Sequence, residues 1–201
     1  RILLLLVVSL WGIRLSFHLA RRSRGEGEDP RYERMMRGRS RSAALLRSLW
    51  LVYGMQGLLM LFISLPITVG MHASSPIAVL QAIGALVWLV GVGFEAIGDA
   101  QLEAFRRDPA TKGTVLDSGL WAWTRHPNYF GDATAWWGIF FIASAGVWGF
   151  ATVLSPILMT VLLTRVSGKP LLEAQLARSR PGYAEYVERT SGFLPRRPRR
   201  G

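Results

Sequence analysis

The chain has 201 residues; half are hydrophobic, mean hydropathy is positive and the formal net charge is +11. A soluble domain rarely joins those properties, whereas a membrane protein does so by gathering apolar residues in spans and charges in loops. The absence of cysteine excludes disulfides, thiolate catalysis and cysteine-ligated metal, and His18, His72 and His126 lack metal-ligand spacing, so no metal site is expected.

About twenty apolar residues cross a bilayer. In chain order, the stretches near that length are about 2–20, 44–66, 77–98, 132–147 and 149–166. The pattern predicts an all-α polytopic transmembrane bundle of about five spans in one domain over 1–201. Further helices are expected upstream of Arg1, because the chain opens inside an apolar run. The Arg21–Arg47 loop is dense in arginine and carries Glu26, Glu28, Asp29 and Glu33, whereas Ile67–Pro76 has no charged side chain. Asp99–Gly131 is charged again, the last two spans form a hairpin across Ser144-Ala145-Gly146, and the tail 167–201 is basic. That alternation puts the charged segments and the tail in the cytoplasm. Trp11, Trp50, Trp121 and Trp123 fall near that boundary. Topology and anionic lipid account for most arginines, including Arg196, Arg197, Arg199 and Arg200, so no nucleic-acid partner is expected. No GxxxG pattern marks a dimer face, so the oligomeric state is not read from the sequence.

Several polar residues stand out against this background. Glu95 and Asp99 lie one turn apart at the end of the third span, with Glu103 continuing the row and Arg106 near the same face. Acids near membrane depth usually face a cavity or a partner; the plainer alternative is an internal ion pair. Pro127 suits the first turn of a helix, from which Asn128, Asp132 and Trp136 recur on one face. A helix start with Arg125 and His126 beside it suits an anionic cofactor, and Asn128 suits a carboxamide or ribose. Capping and pairing within the helix is the alternative. In the tail, Glu173, Arg178, Arg180, Tyr183, Tyr186 and Arg189 are expected on a short amphipathic helix, Tyr183 and Tyr186 on one face.

The run Leu116-Asp117-Ser118-Gly119-Leu120-Trp121-Ala122-Trp123-Thr124-Arg125-His126-Pro127-Asn128-Tyr129-Phe130-Gly131-Asp132 resembles the signature of membrane sterol reductases. Its Asn128–Asp132 core is similar to the matching element of steroid 5-alpha-reductases. Ser167-Gly168-Lys169-Pro170-Leu171-Leu172-Glu173, Arg180-Pro181-Gly182-Tyr183-Ala184-Glu185-Tyr186, and Trp11-Gly12-Ile13-Arg14 with the Arg21–Tyr32 loop look like a bacterial branch of that superfamily.

The resemblance implies a bacterial inner-membrane reductase holding NADPH in a cytoplasm-facing pocket and passing hydride to an activated C=C bond of a lipid-soluble, steroid- or isoprenoid-like substrate. By matching position, Asn128, Tyr129 and Asp132 would lie at the nicotinamide end. Asp99, Arg106 and Arg125 would line the ribose and phosphate side, Arg180, Tyr183, Tyr186 and Arg189 would close the adenine side, and His126 and Glu173 would also belong to the cofactor site. Trp11, Glu95 and Trp136 fall to the substrate. Trp11 stands where the steroid enzymes carry a tyrosine, and indole only donates a hydrogen bond. Tyr129 and Arg14 are then the candidates to polarise the acceptor. Isoprenylcysteine carboxyl methyltransferases share an RHPxY element, a hairpin and a Gly-x-Tyr-like tail, which makes S-adenosylmethionine the alternative cofactor. A non-catalytic lipid-binding protein is the third reading.

Overall fold

A computed structural model describes residues 1–23, 40–73, 77–144, 146–166 and 168–198. The loop acids Glu26, Glu28, Asp29 and Glu33, and with them Tyr32, Pro76, Ala145, Ser167, Arg199 and Arg200, lie outside the described residues. Among those described there is no strand; the fold is an all-helical bundle.

Helix α1 spans Ile2–Arg22 and turns Ile2, Ile13 and Phe17 outward, each more than two-thirds exposed, as lipid-facing residues are. The second expected span is longer than read. It comprises α2 (Arg41–Arg47), a widened π-helical stretch (Ser48–Gly54), α3 (Met55–Ile63) and α4 (Leu65–His72). Helix therefore continues through residues expected to be a loop, and the path bends by 41° between α3 and α4. Pro66 causes the bend, because it has no N–H to donate and its ring crowds the preceding turn. Ile67 N–H bonds Ser64 O at 3.0 Å, and Ser155 Oγ donates to Ile63 O at 2.5 Å. A carbonyl released by the bend thus finds a partner on another helix, as the membrane interior demands.

Helix α5 (Ala78–Arg107) has 30 residues and outruns an apolar layer about 30 Å thick, so its charged end projects beyond it. Helix α6 (Pro127–Ala143) begins at Pro127, the proline expected in a first helical turn, five residues before the apolar span read from 132, so Asn128 and Asp132 lie inside the helix. Its 17 residues rise about 25 Å. After Ser144 come α7 (Gly146–Ala151), α8 (Leu154–Val161), a second π-helical turn (Leu162–Val166) and α9 (Lys169–Ser179). Gly182, in the left-handed region at φ +76°, then opens α10 (Tyr183–Arg189). The tail is thus two helices, broken at Pro181-Gly182, where one was expected. Helices α1, α5 and the run Trp148–Ser179 are long and apolar enough to cross a membrane, and the bent pair Ser48–Ile63 with Leu65–His72 makes a fourth.

Helix α6 is the central element, and glycine lets it be so. Packed antiparallel to α5, it meets Gly84, Gly91 and Gly98 of that helix at backbone distance. A Cβ at Gly84 would stand 2.7 Å from Gly138 O, and one at Gly91 would stand 2.7 Å from Gly131 O. Lipid gives packed helices no hydrophobic advantage, so close backbone approach through small residues supplies the attraction. Helix α1 runs parallel to α5 beside this pair, and Leu4, Val7, Trp88, Trp136, Ile139 and Ile142 fill the space between the three.

Candidate functional site

The parallel run of α1 and α5 aligns two charged rows. Arg14, His18 and Arg21 recur at helical spacing on α1, opposite Glu95, Asp99 and Glu103 on α5. One Arg14 nitrogen lies 2.6 Å from Glu95 Oε1 and the other is bonded to Asp99 Oδ2. His18 Nε2 is 3.7 Å from Asp99 Oδ2, and Arg21 is 3.0 Å from Glu103, which also pairs with Arg107. The acids therefore face a partner helix, and Arg106 is exposed on the last turn of α5. His18 and Arg21 went unrecognised in the sequence; the signal was their match in spacing to the acidic row.

Helix α6 completes this inner cluster. Asn128 Nδ2 donates to Asp99 Oδ1 at 3.3 Å, and Asn128 Oδ1 accepts the Tyr129 N–H at 3.0 Å. Asn128 thus pairs across to α5, beyond the capping role available within its own helix. Asp132 Oδ1 is buried without a hydrogen-bond partner. One turn deeper, Trp136 meets the Trp11 ring edge-on at a centroid distance of 5.5 Å. Trp11 Nε1 donates to Glu95 Oε2 at 3.1 Å, so this indole belongs to the interior of α1 and not to the interfacial belt. The Nε1 atoms of Trp88 and Trp136 are buried without partners. Charge and indole meet here: a carboxylate-rich end, bridged by Arg14, adjoins the packed apolar core.

A second cluster joins the start of α6 to the tail. Arg125 Nε donates to Glu173 Oε1 at 2.8 Å, and its Nη1 donates to Val187 O at 3.0 Å and Thr190 O at 2.6 Å. The guanidinium thus caps the carboxyl end of α10, where cations are favoured. His126, fully buried, places Nε2 3.1 Å from the same Glu173 oxygen and stacks on Tyr129 at 5.2 Å. Burial lowers the His126 pKa below its ordinary 6.5 and outweighs the opposing pull of Glu173, so the neutral ring donates that bond.

Tyr183 and Tyr186 do share a face, but it is buried. Tyr186 Oη donates to Trp121 O at 2.6 Å, and burial chiefly raises the pKa of both phenols, that of Tyr183 to about 12. Trp121, whose Nε1 donates to Gly98 O at 3.1 Å, links α5 to the tail. Arg125 N–H to Ser191 O, Arg196 N–H to Trp123 O and Thr124 Oγ to Phe193 O extend the seam, and exposed Arg189 and Asp117 pair at 2.8 Å. Arg180 lies half-buried at the break between α9 and α10. The sequence-derived site residues therefore fall into an inner group (Trp11, Arg14, Glu95, Asp99, Asn128, Asp132, Trp136) and a tail group (Arg125, His126, Glu173, Tyr183, Tyr186), with Tyr129 between them. Among the described residues, no group of histidine and acids is arranged to hold a metal ion.

Fold and site together define an all-helical membrane protein with a polar site at the charged end of its bundle. The chain belongs to the family described as protein of unknown function (DUF1295), whose model matches residues 1–190. No curated protein and no solved structure matches it.

Proposed function

We propose that this protein is a membrane-embedded NADPH-dependent reductase acting on an activated C=C bond of a lipid-soluble substrate, with its site facing the cytoplasm. The observation that carries this reading is the Asn128 carboxamide. It is held by Asp99 at a helix start, beside the unpaired Asp132 oxygen and next to the packed apolar core that carries Trp88 and Trp136. A carboxamide and a carboxyl group suit the amide of a nicotinamide, and the apolar helix faces beside them suit a lipid-soluble acceptor. The resemblance of the Leu116–Asp132 run to sterol and steroid reductases supports the same assignment.

NADPH supplies the hydride; the protein binds, orients and excludes water. Asn128 and Asp132 hold the nicotinamide end, Arg106 is assigned to the phosphates and Arg180 to the adenine side. Arg125 contributes indirectly, because its donors hold the tail against the start of α6. Arg14 is engaged by two carboxylates, so polarisation of the acceptor does not fall to it.

The test is thermal stabilisation of the detergent-purified protein by NADPH, NADH and S-adenosylmethionine, since a ligand of the native state raises apparent stability. NADPH raises the melting temperature, and Asn128→Ala blunts the rise. Stabilisation by S-adenosylmethionine alone refutes the reductase in favour of a methyltransferase, and no stabilisation by any of them favours a lipid-binding protein without catalysis.

A further inference from the structure

The seam between the start of α6 and the tail holds more positive charge than its acid answers. Gly168 packs against the Leu163 backbone, where a Cβ would clash, and Lys169 follows as the first residue of α9. Lys169 is half-buried and makes no ion pair among the described residues, although Glu173 stands one turn on along the same helix. Glu173 is already engaged, because its Oε1 accepts from both Arg125 Nε and His126 Nε2. The His126 ring is held neutral, chiefly by burial, and adds no charge. Two cations therefore share one carboxylate.

Those cations also close on one point. A Cβ built on Gly192 would stand 2.6 Å from Lys169 Nζ and 3.2 Å from Arg125 Nη2, the guanidinium nitrogen not used toward Glu173, Val187 or Thr190. The Tyr183 hydroxyl is buried beside the same guanidinium without a hydrogen-bond partner. Like charges so placed, where the Arg125 side chain is 9 % exposed, are stabilised by an anion between them.

We propose that Lys169, Arg125 Nη2 and the Tyr183 hydroxyl, gathered at Gly192, form a binding site for a phosphate group. The guanidinium edge supplies directed donors, the ammonium a point charge and the phenol a third donor, which suits an anion with several acceptor oxygens. The start of α9, without a side-chain cap, adds its positive end. Two sources carry such a group: the headgroup of an anionic lipid and a soluble phosphate ester. Exposed Val166 and Leu171 flank Lys169 in the chain and exposed Leu194 follows Gly192, apolar neighbours that acyl chains can cover. The site is independent of the nicotinamide contacts assigned to Asn128 and Asp132.

Isothermal titration calorimetry, in an uncharged detergent at fixed ionic strength, compares wild type with Lys169→Gln, Lys169→Arg and Gly192→Ala. The probes are glycerol 3-phosphate and dihexanoyl phosphatidate, with dihexanoyl phosphatidylcholine as the control for acyl chains, and ligand-free melting reports folding. Lys169→Gln weakens the phosphate probes about tenfold, the scale of one charge-assisted hydrogen bond, and Lys169→Arg keeps most of the affinity. Gly192→Ala folds, because the atom nearest its methyl is the far end of a flexible lysine, yet it displaces that ammonium and weakens the same probes. Phosphatidate binding more tightly than glycerol 3-phosphate assigns the site to a lipid, and equal binding assigns it to a soluble ester.

A wild-type protein that binds neither phosphate probe above phosphatidylcholine overturns the proposal, and so do wild-type affinities in Lys169→Gln and Gly192→Ala. Binding of a phosphate probe without binding of NADPH refutes the reductase reading and leaves this site standing.

Discussion

Gly91→Ala tests the packing that places the site. Gly91 faces α6 with no intervening side chain: an added Cβ would stand 2.7 Å from Gly131 O and 2.9 Å from Ala135 Cα. Both are backbone atoms of a helix that is itself buried, so neither yields by a change of rotamer. Overpacking that side chains can absorb costs about 1–3 kcal/mol, and a backbone clash belongs at or above the top of that range. Gly93, two residues on, supplies the control, because its Cβ would meet nothing within 4 Å. Gly93→Ala gains helix propensity worth about 0.5–1 kcal/mol. For a chain of this size a loss of about 3 kcal/mol lowers the melting temperature by about 6–12 °C. Thermal unfolding in one detergent, followed by far-ultraviolet circular dichroism, measures both variants. Equal melting temperatures for Gly91→Ala and Gly93→Ala would refute the close α5–α6 approach.

Further outcomes follow from the tail cluster. Arg125→Ala leaves Glu173 without its guanidinium and the carbonyls of Val187 and Thr190 without a donor, in surroundings where the Arg125 side chain is 9 % exposed. Breaking such a pair costs about 3–5 kcal/mol, and limited proteolysis then cuts near α10 while α5 and α6 stay protected. Unchanged cleavage would dissociate the guanidinium from tail docking. The His126 pKa is lowered in the fold, so the unfolded chain binds the proton more readily. Its contribution to stability is complete above the ordinary 6.5 and is lost as pH falls from there toward the lower folded value. Melting measured from pH 7.5 to 5 falls more steeply in wild type than in His126→Gln, whose amide can still donate to Glu173 but does not titrate; parallel curves would remove His126 as the cause.

Much of the fold was legible because membrane solvation is unforgiving. Runs such as Ile2–Ala20 and Ala78–Gly98 tolerate only helix at that hydropathy, since helix satisfies its own backbone. Pro127 and Gly119 announced local geometry for equally local reasons: Pro127 opens α6, and Gly119 sits at φ +60°. The full length of the second membrane segment was not legible. Its helix continues past Pro66 because Ser155, distant in sequence, receives the carbonyl released at the bend.

The site divides in the same way. Spacing along one helix put Glu95, Asp99 and Glu103 in a row, and put Asn128, Asp132 and Trp136 on one face, because both sets follow the helical repeat. Which residues those rows would meet was a matter of how helices pack. Glycine-to-backbone contact fixed the antiparallel register of α5 on α6 and so brought Asn128 to Asp99. The parallel descent of α1 set Arg14 between two acids more than 80 positions away. Arg125 illustrates the limit most sharply. As a sequence element beside a helix start it suited an anion, and in the folded chain its donors meet Glu173 and the carboxyl end of α10. Residue type and helical period were enough to name the polar groups and their faces; only tertiary packing could pair them, because a charge in low dielectric takes its state from the partner brought within reach.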